Sequence, residues 1–291
     1  MAMSPRLLRP RASGFHPEAA NWRARVIANG GFVSASTMKA VSTFCRDIEN
    51  APGGSIRNRF FRLNLFAGNS DASLAAVRTP LFRGPSLSGT QYGGTTDTNF
   101  NFVAEDYAET GTNGGLLGNG STKYLDTGLN VSSLPGAANC HLSGYIRGTQ
   151  SVSGAGTLIG ALFNGTADRY RIFLLENNAS TYASYAELGK AVNVNTTRSN
   201  ANGGLFLASR TSTTSLTLYD DAVSIGTNTS STVEDATGSV PFFVFARSGP
   251  TDYLASRMAG YSIGAGMTGA QVTSYYNALN TFQTALGRNQ S

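Results

Sequence analysis

The chain has 291 residues, 41% of them apolar and only 13% charged, with a net charge of +5. That composition can bury one large core or two ordinary ones and excludes a disordered, highly charged chain. No apolar run reaches the ~18 residues of a membrane helix. The basic start "MAMSPRLLRPRASG" lacks the apolar stretch of a secretory signal, so the product is expected to fold in a cytoplasm.

The charge is uneven. Residues 1–62 hold ten Arg or Lys against Glu18, Asp47 and Glu49, while the remainder holds twelve basic and fourteen acidic residues. A basic segment of this kind can meet an acidic partner. Nineteen of the 22 basic residues are Arg, whose planar, weakly hydrated fork suits interfaces. A GC-rich genome would produce the same bias.

Residues 1–15 read as extended and basic, with Arg6, Arg9 and Arg11 among prolines. Pro17 suits the first position of a helix that carries Trp22, Val26 and Ile27 on one side and stops at "NGG", 29–31. A second helix fits 35–49, with Met38, Val41, Cys45 and Ile48 at 3–4 spacing and Ser36 near its start. "FFRLNLFAG" is a short apolar run, and "DASLAAVRTPLF" holds a helical turn or two before Pro80. Residues 84–114 have little period. They read as an excursion whose Tyr92, Phe100, Phe102 and Tyr107 want burial.

From about 116 the pattern changes to strands: 123–129, 140–148, 157–163, 169–176, 182–188, 204–210, 215–221, 241–247 and 255–263. Many short alternating runs between Gly/Asn turns predict an antiparallel sandwich or jelly roll. The last element is a helix. Thr268 and Gln271 form a capping box, Val272, Tyr275, Leu279, Phe282 and Leu286 mark one face, and Gly287 takes the C′ position. Cys45 and Cys140 read as buried thiols rather than a staple or a metal site.

The chemical motifs fail one by one. "GAGMTG", 264–269, has G-x-G-x-x-G spacing, but no second strand and no acidic residue follow to complete a dinucleotide site. Its glycines are expected to turn a strand into a helix. "GLLGNGSTK", 115–123, misplaces the lysine of a phosphate loop. Ser36 and Lys39 match S-x-x-K without the partner motifs of that chemistry. His16 and His141 lie in different regions, which supports neither a Ser or Cys hydrolase nor a zinc site. The acidic pairs Glu105-Asp106, Asp220-Asp221 and Glu234-Asp235 are adjacent, so each would point to opposite faces of a strand, unlike a jelly-roll glycosidase. Asp220 and Asp221 fall at a predicted turn. They are solvated turn residues or, with Tyr219, a loop for a glycan or Ca²⁺.

"RLLRPRASGFHPEAANWRARVIANGGFVSASTMKAVSTFC" (6–45) and "RFFRLNLFAGN" (59–69) resemble the N-terminal region of bacteriophage virion structural proteins. "LLGNGSTKYLDTGL" (116–129) and "YSIGAGMTGAQVTSYYNALNTFQTALGR" (261–288) resemble the ends of their C-terminal domain, a concanavalin A-like jelly roll of laminin G or pentraxin type. The resemblance implies a mainly β protein: a basic helical docking region at 1–83, a connecting excursion at 84–115 and a jelly roll with a C-terminal helix at 116–291. It implies a non-enzymatic component of a tailed-phage virion, in capsid decoration or tail, assembled in the bacterial host cytoplasm in multiple copies or as a homo-oligomer. Arg6, Arg9, Arg11, Arg23 and Arg25 would dock it to other virion proteins. No cofactor, membrane or nucleic-acid partner is expected. The arm lacks the interleaved aromatics of a single-strand binder. Related lectin-like folds bind Ca²⁺ and sugars through loops, so a carbohydrate-binding module for host-surface glycans is the alternative. Tyr145, Tyr170, Tyr182, Tyr185, Tyr219 and Tyr253 are its candidate platforms, and a glycan hydrolase is the third reading.

Overall fold

A computed structural model describes residues 14–68, 74–148, 155–163, 168–178, 181–190, 193–198, 203–231 and 239–289. Arg6, Arg9, Arg11, Glu234 and Asp235 lie outside these residues, as does the side chain of Tyr182.

Two helices come first, α1 (Pro17–Ala28) and α2 (Ala35–Glu49). His16 caps α1: its Nδ1 accepts from the Glu18 amide. The bounds of α2 are those expected, 35–49; its cap is Ser34, whose Oγ accepts from the Thr37 amide. Met38, Val41, Cys45 and Ile48 are buried as the 3–4 spacing predicts. Ile27 is a correction: it is 53% exposed, because the buried stripe of α1 runs through Ala19, Trp22 and Val26.

The strands are β1 (Phe60–Asn64), β2 (Thr98–Phe100), β3 (Tyr107–Ala108), β4 (Gly115–Leu117), β5 (Tyr124–Asn130), β6 (Cys140–Arg147), β7 (Ala155–Phe163) and β8 (Asp168–Asn178). They continue as β9 (Thr181–Lys190), β10 (Asn193–Arg198), β11 (Gly204–Arg210), β12 (Leu216–Asp220), β13 (Val223–Asn228), β14 (Pro241–Val244) and β15 (Arg257–Gly264). A one-turn α3 (Ala75–Arg78) follows β1, and α4 (Gly269–Ala285) follows β15.

All described strand pairs are antiparallel and build two sheets. The first runs β13-β12-β11-β6-β15-β4-β3, with β1 also on β15; the second runs β10-β9-β8-β7-β14-β5-β2. The sandwich was expected at 116–291, yet β1, β2 and β3 come from earlier in the chain. Asn64 pairs with Tyr261, Phe100 with Tyr124 and Tyr107 with Leu116. The facing sides of the sheets share a core that includes Leu142, Phe206, Tyr261, Leu125, Ile172 and Phe242.

The outer face of the first sheet is covered by helices. Tyr145, Leu205, Leu207 and Ala259 point outward into a second core with Phe44, Phe60, Tyr275, Leu279 and Phe282. Phe60 and Tyr275 meet edge-to-face at 5.0 Å, and Phe44 meets Phe282 at 6.1 Å. Each such burial contributes roughly 1.5–3 kcal/mol, so the helices are integral to the sandwich. The chain therefore forms three layers, and among the described residues no helix covers the outer face of the second sheet.

The two glycines of "GAG" are needed for space. Neither has a positive φ. A Cβ on Gly264 would lie 1.8 Å from the Arg59 carbonyl oxygen, and one on Gly266 would lie 2.0 Å from that of Arg210. The strand reaches the helix by threading between two other backbones. At the start of α4, both capping-box bonds between Thr268 and Gln271 form, and Gly287 ends the helix at φ 64°.

Candidate functional site

Period-2 alternation decides what the open sheet shows. In β5, Leu125, Thr127 and Leu129 face the core, which leaves Tyr124 and Asp126 outward; in β14, Phe242 and Val244 face in and Phe243 faces out. Register then gathers the outward residues. Phe100 stands opposite Tyr124, and Asp126 lies between Thr98 on one side and Phe243 on the other. Phe100 and Tyr124 stack at 4.3 Å with an interplanar angle of 4°. Phe243 lies 4.8 Å from Tyr124, and Tyr253, from the loop before β15, lies 6.2 Å away. The four rings form one half-buried row. Burial, then the neighbouring Tyr253 and Asp126, pushes the Tyr124 phenol above its ordinary pKa, so it stays a neutral hydrogen-bonding group. Burial likewise raises the Asp126 carboxyl, against the pull of the Gly128 amide.

The same transverse row continues from Phe243 through Gly160, Arg171 and Glu187 to Asn193. Here the face turns ionic. Arg171 lies 3.3 Å from Glu187 and 3.9 Å from Asp252, with its guanidinium 4.8 Å from the Tyr185 ring centre. Arg247 pairs with Asp252 at 2.8 Å. Arg171 thus occupies the space between the two carboxylates, where a glycosidase would need room for the scissile bond.

The residues singled out from sequence are dispersed. Arg25 turns inward and donates to the carbonyls of Pro80 and Leu81 and to Asn21; burial, with Arg83 adding repulsion, lowers its pKa to about 10. It clamps α1 to the 80–81 segment, which corrects its assignment to the docking set. Arg23 is exposed. Asp221 and Ala222, at φ 48° and 68°, make the turn between β12 and β13. The Asp221 carboxylate accepts from the Leu205 amide, while Tyr219 packs at the edge of the helical core. This is turn geometry. No group of three or more His, Cys, Asp or Glu gathers to hold a metal among the described residues. Tyr145 and Tyr170 are buried, whereas Tyr185 and Tyr253 lie on the open face. Cys45 and Cys140 are buried and form no disulfide, and the Cys140 thiol donates to the Ala137 carbonyl.

Two motif regions resolve in physical terms. In the "GNGS" loop the amides of Ser121, Thr122 and Lys123 all donate to Asn119 Oδ1, so a side chain fills the nest a phosphate would need. Lys123 itself pairs with Asp106 at 2.5 Å. His141, separated from Ser262 by most of the strand region, lies beside it: Nε2 is 2.9 Å from Ser262 Oγ. Nδ1 is 2.6 Å from the Ala265 carbonyl, which only accepts, so Nδ1 holds the proton and Nε2 accepts from Ser262. The pair is fully buried, with a carbonyl where a triad has a carboxylate, and burial lowers the His141 pKa to about 4. It is a structural relay under α4.

No protein-family model matches the chain, and no curated protein matches it in sequence. Solved structures do. The receptor binding domain of botulinum neurotoxin C/D mosaic serotype overlaps with a TM-score of 0.51 at 9% identity, over 76% of this chain and 52% of that one. Tailspike protein 2 of Escherichia coli O157:H7 bacteriophage CAB120 gives 0.43 at 10% identity, over 66% and 28%. Domain 4 of an extracellular arabinanase from Geobacillus stearothermophilus, in complex with arabinotriose, gives 0.41 at 12%, over 62% and 82%. The chain spans about half the toxin domain's length and under a third of the tailspike's. At this identity the toxin likeness is one of fold: a two-sheet, jelly-roll-like sandwich.

Proposed function

We propose that the chain is a non-catalytic binding protein of a tailed-phage virion, on a concanavalin A-like jelly roll, whose open sheet recognises a neutral glycan. The aromatic row of Phe100, Tyr124, Phe243 and Tyr253 on the uncovered sheet is the observation that carries the reading. Such rings offer apolar faces to the C–H surfaces of a sugar, while Asp126 and the Tyr124 hydroxyl can hydrogen-bond its hydroxyls. A neutral ligand is favoured because Arg171 and Arg247 beside the row are engaged by Glu187 and Asp252. The same pairing argues for a non-enzyme. The virion setting rests on the sequence resemblance, the low charge and the Arg-rich N-terminal segment. Other virion proteins, in capsid or tail, are the docking partners in this reading, with the protein present in multiple copies.

A glycan array with the full chain, repeated with and without Ca²⁺, tests the reading. Neutral oligosaccharides should bind, and Tyr124→Ala should weaken binding about tenfold or more, ~1.4 kcal/mol, in a chain that remains folded at the assay temperature. Absence of binding under both conditions, or binding indifferent to Tyr124→Ala, would refute it. Antibody labelling of intact particles tests the virion setting separately.

A further inference from the structure

The helical layer exposes large apolar side chains at one corner. Phe15 is 45% exposed and Phe32 57% exposed, flanking α1 on either side. Ile27, also exposed, sits one helical turn beyond Arg23 on the same side of α1. These are three of the seven large apolar side chains exposed among the described residues. Phe15, Phe32, Val33 and Met38 surround a hollow of about 270 Å³, with Arg23 at its edge. Clustered exposed apolar surface of this kind marks an interaction site, whereas scattered single residues do not.

The charge selects the occupant. The Arg23 side chain makes no hydrogen bond or ion pair to any described residue, unlike Arg25 two positions on. The hollow's lining includes no acidic residue. A guanidinium with no partner among the described residues, beside an apolar hollow, takes a carboxylate through paired N–H donors while an apolar side chain fills the space.

We infer that the Phe15–Arg23–Phe32 corner is the docking surface for a partner protein, and that it takes a segment with one bulky apolar side chain flanked by Asp or Glu. This deepens the docking half of the proposed function and is independent of glycan binding. Nucleic acid fits poorly, since the corner is apolar around a single guanidinium.

The test uses the full chain and synthetic peptides with a central Leu, Phe or Trp flanked by Asp/Glu, by Lys/Arg or by Ser/Gly. The acidic peptides should bind at least tenfold more tightly than either other set and shift the amide resonances of Phe15, Arg23 and Phe32. Arg23→Glu and Phe32→Ser should each reduce that binding about tenfold, with melting temperature and glycan binding unchanged. Equal binding of all three peptide sets, no binding, or binding that survives both substitutions would overturn the inference. So would a concentration-dependent dimer, seen by sedimentation, that Phe32→Ser dissolves, because the corner would then serve a second copy. Particles that incorporate both variants normally would show that the protein docks elsewhere, leaving the virion setting intact.

Discussion

His141 gives the clearest residue-scale consequence. Its folded pKa of about 4 lies below the ordinary value of 6.5 because burial disfavours the charged imidazolium, against the pull of the Ala265 carbonyl and with Arg59 adding repulsion. Above pH 6.5 both folded and unfolded states hold it neutral, and stability is full. Below 6.5 the unfolded chain takes up a proton that the folded chain refuses, so stability falls until the pH passes the folded value. Denaturant titrations between pH 7 and 4 should show a loss of up to ~3 kcal/mol from this site, approaching ~1.4 kcal/mol per pH unit. His141→Gln should remove that component. Gly266 makes a steric claim: Gly266→Val drives a side chain into the Arg210 carbonyl, and calorimetry should register a loss at the upper end of the ~1–3 kcal/mol seen for overpacking. A melting temperature unchanged by Gly266→Val would contradict the close approach.

At the scale of elements, the most consequential one is β1. Its Arg62 is fully buried and pairs with Asp97 at 2.7 Å; Asp97 also accepts from Tyr261 and from Asn64. This knot ties β1, β15 and the 84–97 excursion together. Asp97→Asn leaves the Arg62 charge uncompensated, so a loss of about 3–5 kcal/mol is expected in urea unfolding. Neither partner could be found from sequence, because "FFRLN" is buried at every position and has no alternation to read. The same blindness hid β2, β3 and β4, which are two or three residues long and too short to show a period. It also hid β10 and β13, whose Asn, Thr and Ser content mimics turns. The helices and the longer strands were legible, since each repeats one period over many residues. The candidate site was half legible. Alternation in "KYLDTGL" puts Tyr124 on the outer face of its strand, whereas "PFFVFAR" is apolar from Phe242 to Ala246 and does not show which face Phe243 takes. The register that sets Phe100 and Tyr253 beside them is a property of the whole sheet.

At the scale of the molecule, the three layers assign different work to the two sides. One sheet is sealed by α1, α2 and α4 through an apolar core. The other sheet carries the half-buried aromatic row on its outer face, with the buried Arg171–Glu187 pair beside it. A protein built this way can be anchored through the helical layer while the open sheet remains available to a ligand. Because both cores are continuous with the same sheet, the helical region is not expected to melt separately from the sandwich. The most direct test is a map of amide resonance shifts in the full chain on titration with a neutral oligosaccharide. The two-sided arrangement predicts saturable shifts confined to residues 98–100, 124–126, 243 and 253. Shifts on α1, α2 or α4 instead, or none at all across neutral sugars, would contradict it.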